Sequence, residues 1–325
     1  MPIIIADKIS KKFTITKKEK GFAGAVKGLF FPDKTIVDAV KDVSFTIDQG
    51  EIVGYIGPNG AGKSTTIKIL SGIMHPTSGS ILINGISPQA DRKKVVKNIG
   101  VVFGQKTQLY WDIRLGETFE LVRRIYRIDD KTYKENLGLM NEMLGINEII
   151  DVPVRQLSLG QRMKGDLTAA TLYSPKILFL DEPTIGLDLV AKHNIRKFIL
   201  DINRMRKTTV ILTTHDLNDV EQLCSRLMVI NKGQIIEDGG LDSIVKRLAP
   251  NHMLIIESPT YKGGFQCKNC ETVKYENGKL HLKFDRTKLP VSKLISEVAK
   301  NMDVVELSVV EPDIEDAISN LYRSL

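Results

Sequence analysis

The chain has 325 residues, 42% of them apolar, with a formal charge of +7 and three cysteines. That length allows two domains and a sizeable buried core, while three cysteines exclude a disulfide framework in a chain of this size. No apolar run reaches about 18 residues, so no membrane span is expected. The opening Met1-Pro2-Ile3-Ile4-Ile5-Ala6-Asp7 lacks the layout of a signal peptide, and the expectation is a cytosolic chain that, if it acts at a membrane, docks onto something already there.

In chain order, Glu51–Ile56 reads as a short apolar strand running into a glycine-rich turn, and Ser64–Ile73 as a helix. Ile81–Ile83, Ile99–Phe103, Ile177–Leu180, Thr209–Thr213 and Leu227–Ile230 are further apolar, β-branched runs, with helical patterns between several of them, as at Ala191–Met205. This alternation predicts an α/β domain with a largely parallel sheet over residues 1–240. Between Gln105 and Ser158 the strand signals fade. Gly116–Tyr126 and Lys131–Leu144 read as helices there, a helical subdomain of about 106–160. Past Gly239-Gly240, Met253–Glu257, Thr272–Tyr275, Leu280–Phe284 and Val304–Val310 read as strands, and Ser292–Lys300 and Ile314–Leu325 as helices. They predict a small α+β domain over 241–325.

Gly57-Pro58-Asn59-Gly60-Ala61-Gly62-Lys63-Ser64 matches G-x-x-x-x-G-K-[ST] in full, and Thr65 follows it. Surrounding a polyphosphate needs several backbone N–H groups turned inward, and glycines allow that turn. The helix behind the loop then presents its N-terminus to the phosphate charge. Lys63 is expected to reach the β and γ phosphates of ATP, and the Ser64 hydroxyl to ligate Mg²⁺. Ile177-Leu178-Phe179-Leu180-Asp181-Glu182 is a buried strand with two carboxylates at its carboxyl end, where open α/β sheets place ligands. Asp181 can hold Mg²⁺ through its water shell, and Glu182 can polarise the attacking water as general base.

Those two motifs define a P-loop NTPase but not its kind. Leu157-Ser158-Leu159-Gly160-Gln161, just upstream of Asp181, resembles the LSGGQ signature of the ABC ATPases. Gln105 resembles the Q-loop glutamine of that family, Pro183-Thr184-Ile185-Gly186-Leu187-Asp188 the segment leading into the D-loop, and His215 the switch histidine. Taken alone, Gln105 reads equally as a surface amide, His215 as a satisfied histidine at a strand end, and Asp188 as a helix N-cap. The resemblance covers roughly residues 3–240 and implies an α/β P-loop NTPase core with a helical subdomain, followed by the small α+β domain.

It also implies that two cassettes pair head to tail, a homodimer or a cassette pair, with each ATP between one P-loop and the other subunit's Ser158, Gly160 and Gln161. By the same resemblance, Gln105 senses the γ-phosphate and the metal, and adenine stacks on an aromatic of the N-terminal strand. Phe13 is the candidate, with a plain core phenylalanine as the other reading. Leu159 departs from the pattern, since it replaces the first glycine of the signature. Its side chain either crowds a bound nucleotide or points away.

The implied partner is an integral membrane permease, with the chain peripheral on the cytoplasmic face of the cell membrane. The whole chain resembles ATPase subunits of the ABC-2-type export class. A soluble ABC ATPase acting on ribosomes or DNA is the alternative. Such relatives tend to carry two cassettes or a very long coiled-coil insertion, and neither is visible, so no nucleic acid partner is expected.

Residues 16–36 look inserted before Ala39-Val40-Lys41-Asp42-Val43-Ser44-Phe45, a typical cassette opening. The apolar piece Gly21–Phe31, flanked by lysines, suits a bilayer surface, a permease or the protein's own domain equally well. The Gln105–Asp112 segment carries Tyr110 and the single tryptophan, Trp111; the resemblance implies that this region meets the permease, with a plain packing role as the other reading. Cys267-Lys268-Asn269-Cys270 is one C-x-x-C. A Cys₂His₂ zinc site with His252 and His281 stands beside a reduced pair in a turn.

Overall fold

The computed structural model describes residues 1–17, 33–104, 106–259, 261 and 263–323. The chain divides into two compact units, Met1–Gly239 and Gly240–Leu325. The strands of the first are β1 (Pro2–Lys17), β2 (Asp33–Asp48), β3 (Ile52–Ile56), β4 (Ser78–Ile83), β5 (Ile99–Phe103), β6 (Ile177–Asp181), β7 (Thr209–Thr213), β8 (Arg226–Asn231) and β9 (Gln234–Gly240). Its helices are α1 (Lys63–Leu70), α2 (Arg92–Val96), α3 (Leu115–Tyr126), α4 (Asp130–Leu144), α5 (Leu159–Thr171), α6 (Leu189–Arg206) and α7 (Leu217–Leu223).

Six strands form one sheet in the order β5-β6-β7-β3-β8-β9. Its β5-β6, β6-β7, β7-β3 and β3-β8 pairings are parallel. Parallel strands covered on both faces read as unbroken apolar runs, and β3 and β7 are buried along their whole length. β6 is buried from Ile177 to Leu180 and half-buried only at Asp181, where the sheet opens.

A second, antiparallel sheet has the order β2-β1-β4. Ile81–Ile83, grouped above with the parallel strands, belongs here instead: Ile4 pairs with Ile83 on one side and Ile47 on the other. The burial pattern gives the reason. Ile81 and Ile83 are buried while Leu82 between them is 38% exposed, as in a strand with one wet face. Ile4, Ile9, Val40, Phe45 and Ile47 of this sheet share a core with Val53 and Tyr55 of β3 and with Ile67, Ile69 and Leu70 of α1. Each such fully buried aliphatic side chain contributes roughly 1.5–3 kcal/mol. That packing holds α1, and therefore the loop before it, against the sheet.

The ends of the expected insertion prolong the β1-β2 ladder, with Thr14 opposite Ile36 and Lys17 opposite Asp33. The apolar piece Gly21–Phe31 lies outside the described residues. The helical region begins at α3, where Arg114 N donates to Glu117 Oε2 at 2.9 Å. Asp129 caps α4 by accepting from Thr132 N at 2.9 Å, and Gly145 ends it at φ +67°.

The second unit contains α8 (Leu241–Leu248), β10 (Asn251–Glu257), β11 (Cys270–Glu276), β12 (Lys279–Asp285), α9 (Val291–Asn301), β13 (Glu306–Val310) and α10 (Ile314–Arg323). Its antiparallel sheet runs β11-β12-β10-β13. Leu254, Ile256, Leu280, Leu282 and Phe284 on one face pack with Leu294 and Val298 of α9. Cys267 and Cys270 are joined as a disulfide across their turn, in place of the reduced pair. Among the described residues, no group of three or more His, Cys, Asp or Glu converges to hold a metal.

Candidate functional site

The site begins where β3 ends. After Ile56 the chain turns through Gly57–Gly62 and enters α1. A β-carbon on Gly57 would stand 2.2 Å from the carbonyl oxygen of Ile230, and one on Gly62 2.3 Å from that of Ala39. Gly62 also has φ +111°, in the region that favours glycine. The loop therefore lies too close to β2 and β8 for any side chain at these positions. Ala61 is buried, and its N–H donates to Pro58 O at 3.1 Å, closing the turn.

Lys63 opens α1 and is 7% exposed. Its Nζ donates to the carbonyl oxygens of Gly57 at 2.6 Å and Pro58 at 3.2 Å. Burial lowers its pKa below the usual lysine value, against the opposing pull of Glu182 and Asp181. The ammonium borders a cleft of about 440 Å³, also lined by Asn59, Gly60, Gly62, Ser64 and Thr65. Lys68 and Lys106 add two further cations, and Asp181 and Glu182 line the cleft from the end of β6. A helix N-terminus, open amides and three lysines make a place for a polyphosphate.

Ser64 Oγ donates to Asp181 Oδ1 at 3.2 Å, and Thr213 Oγ1 donates to the same oxygen. A hydroxyl and a carboxylate side by side are hard oxygen donors suited to Mg²⁺, which keeps most of its waters and takes the rest of its shell from phosphate. Glu182 follows with φ +56°, a left-handed conformation for a non-glycine residue. Such strain costs on the order of 1–3 kcal/mol and collects at functional positions. Here Glu182 N donates to Thr213 O at 2.9 Å. Gly104 crowds its carbonyl so closely that a β-carbon there would stand 1.9 Å from it. Glu182 Oε1 lies 3.5 Å from Nδ1 of His215, whose side chain is 61% exposed.

Asp219 escaped the sequence reading. It is fully buried on α7. Its Oδ2 accepts from Thr184 Oγ1 and, at 3.2 Å, from Thr214 Oγ1, while its Oδ1 accepts from Arg196 Nε at 2.6 Å. Thr184 lies two residues after Glu182 and Thr214 one before His215, so one carboxylate anchors both neighbours of that pair. An acid four residues after His215 on the buried face of a helix was the available signal. Two of its three partners, Thr184 and Arg196, are 35 and 23 residues away in the chain, beyond the reach of periodicity.

The remaining candidates lie elsewhere. Ser158, Gly160 and Gln161 begin α5 and do not line the cleft. Ser158 Oγ accepts from Gln161 N at 3.2 Å and Gln161 Oε1 accepts from Ser158 N at 2.9 Å, a capping box. Leu159 leans on its own chain: its Cδ2 is what a β-carbon on Gly186 would meet, at 3.1 Å. Asp188 caps α6, accepting from Ala191 N at 2.8 Å. Phe13 is half-buried opposite Val37, two residues from the cleft-lining Ala39, with Lys11 Nζ 5.5 Å from its ring centre. Gln105 lies outside the described residues.

The ABC transporter family model matches residues 40–185. The ABC transporter ATP-binding protein NatA of Bacillus subtilis is 33% identical over 215 residues, covering 66% of this chain and 87% of NatA. The linearmycin resistance ATP-binding protein LnrL of Bacillus subtilis is 29% identical over 296 residues, 89% of this chain and 94% of LnrL. A solved dimeric ATP-binding cassette in a post-hydrolysis state, bound to ADP and Pi, superposes with a TM-score of 0.61 at 25% identity. That match covers 73% of this chain and 98% of the cassette. This chain belongs to the ABC transporter ATP-binding subunits, which are ATPases of the P-loop class.

Proposed function

We propose that this subunit powers a separate membrane permease by binding and hydrolysing Mg·ATP between two cassettes. The observation that carries the reading is the convergence of Lys63, Ser64, Asp181 and Glu182 on one cleft at the carboxyl end of the parallel sheet. In this mechanism the amides of Gly57–Thr65 cradle the phosphates, and Lys63 leaves its loop carbonyls for the β and γ oxygens. Ser64 and Asp181 would hold Mg²⁺, and the family resemblance assigns Gln105 to the same metal. When bound, the metal would supply charge neutralisation for the phosphates. Glu182 takes a proton from the attacking water, and His215, 3.5 Å away, orients the carboxylate. Phe13 is the adenine platform.

Ser158, Gly160 and Gln161 serve the ATP of a second copy. The Ser158 hydroxyl accepts its capping bond, so its own proton stays free to donate to a phosphate oxygen. Asp188 sits in the D-loop between the two sites. Among the described residues no helix is long and apolar enough to cross a membrane, which fits a peripheral subunit held at the cytoplasmic face by its permease. ABC-2-type export is the subclass that the sequence resemblance implies; LnrL, named for resistance, and MetN 2 of Enterococcus faecalis, named for methionine import, each match over 89% of this chain at 29% identity. Direction is therefore decided by transport measurement. Cargo accumulating inside inverted vesicles is the outcome expected of export.

The chemistry is tested with Glu182→Gln. This variant should keep ATP affinity, lose on the order of 10²–10⁴ in phosphate release and elute as an ATP-bound dimer in gel filtration. Hydrolysis near the wild-type rate would remove Glu182 from its role.

A further inference from the structure

The stretch after Gln105 is fastened along two turns of α5, the helix that starts at the signature. Asp166 is 4% exposed. Its Oδ1 accepts from Thr107 Oγ1 at 3.0 Å and from Gln108 N at 2.9 Å, and its main-chain oxygen accepts from Gln108 Nε2 at 3.0 Å. One residue earlier, a β-carbon on Gly165 would stand 2.9 Å from Leu109 Cδ1 and 2.9 Å from Leu115 Cδ1, so only glycine admits Leu109 this close. One turn earlier, the Arg162 guanidinium lies 5.3 Å from the ring centre of Trp111. Arg155, just ahead of the signature, pairs with Asp112 at 3.2 Å. Burial raises the Asp166 carboxyl to about 6, against its two donors and Arg162. A carboxylate kept here despite that desolvation fits a role in orientation rather than in stability.

We propose that Asp166 is a positioning residue that fixes the Thr107–Trp111 segment to the signature helix, so that displacement of the segment carries Ser158 with it. Resting on the ATP reading above, this links the end of β5, whose Phe103 lines one ATP cleft with Gly104, to the Ser158 that serves the other. Binding at one site would then bias the geometry of both, because the segment and the helix move as one element.

Trp111 is the single tryptophan of the chain, so its fluorescence reports this segment alone. In the full-length protein without nucleotide, Asp166→Ala should raise acrylamide quenching of Trp111 and lower its anisotropy. Asp166→Asn, whose amide oxygen can accept both bonds, should retain wild-type values. With Mg·ATP, the wild-type change in Trp111 emission should vanish in Asp166→Ala and return in Asp166→Asn, while affinity for a fluorescent ATP analogue stays unchanged. Wild-type quenching and a wild-type ATP response in Asp166→Ala would overturn the proposal. If Asp166→Ala does not fold, Thr107→Val removes one of the two donors and should give the same change at smaller amplitude; its absence overturns the proposal equally. Failure of the wild type to bind ATP would sink the ATPase reading instead, and the nucleotide-free Trp111 comparison would still decide the role of Asp166.

Discussion

Two helix starts in this molecule solve the same electrostatic problem in opposite ways. At α1 the N-cap is Gly62, and no side chain satisfies the first amides. At α5, Ser158 and Gln161 cap one another in a capping box. A glycine N-cap forgoes only a few tenths of a kcal/mol relative to a capping side chain and keeps the partial positive charge of the helix start available to an incoming anion. The phosphate cradle is therefore left incomplete by its own chain. The signature helix is finished without a ligand, and its half-exposed start can face another molecule.

The largest expected effect falls on the cradle. Lys63→Ala removes a cation whose hydrogen bonds, among the described residues, are to the Gly57 and Pro58 carbonyls of the loop. Each charge-assisted bond to phosphate is worth roughly 1.5–3 kcal/mol, so ATP affinity should fall about tenfold or more. Thermal stability without nucleotide should change little. Calorimetric titration with Mg·ATP checks the first and a melting curve the second. A large loss of nucleotide-free stability would mean that the cradle is built for structure.

The signature helix should respond to pH through Asp166. Its carboxyl rises from an ordinary value of 3.8 to about 6 on folding. The folded state thus favours the neutral acid: this contribution to stability is full below the unfolded value, falls as pH rises toward the folded value, and is flat above it. At about 1.36 kcal/mol per pH unit the loss is about 2–3 kcal/mol. Asp166→Asn lacks that loss, so its unfolding curve should match the wild type in acid and lie above it at neutral pH. Parallel curves across the range would contradict the buried carboxylate.

The smallest effect is expected at Ser158. Ser158→Ala should lower stability by about 1 kcal/mol through the lost cap. It should also weaken hydrolysis only where two copies meet, so specific activity should become more dependent on protein concentration. No change in stability would show that the cap is redundant.

How legible each region was follows from how local it is. Gly57–Ser64 is one string, and the strand before it and the helix after it follow directly in sequence, so motif and context could be read together. β3, β5 and β7 stood out as apolar runs for the same reason. β4 was assigned to the wrong sheet because three apolar residues do not reveal which neighbour they pair with. α8 and β9 went unread because their apolar residues sit among exposed polar ones. Asp219 and Asp166 were missed as sites because a buried carboxylate is defined by its partners. Those of Asp166 lie 58 and 59 residues away, and those of Asp219 come from three different segments.

By itself the sequence determined the phosphate loop, the paired acids after an apolar strand, and the division of the chain near residue 240, because each is written in contiguous residues whose chemistry is local. Tertiary structure alone decided that Gly57 and Gly62 have no room for a side chain, that Glu182 is strained beside His215, and that the Trp111 segment rides on the signature helix. Those facts depend on atoms brought together from distant parts of the chain by burial of the core, and distance along a sequence carries no record of distance in space.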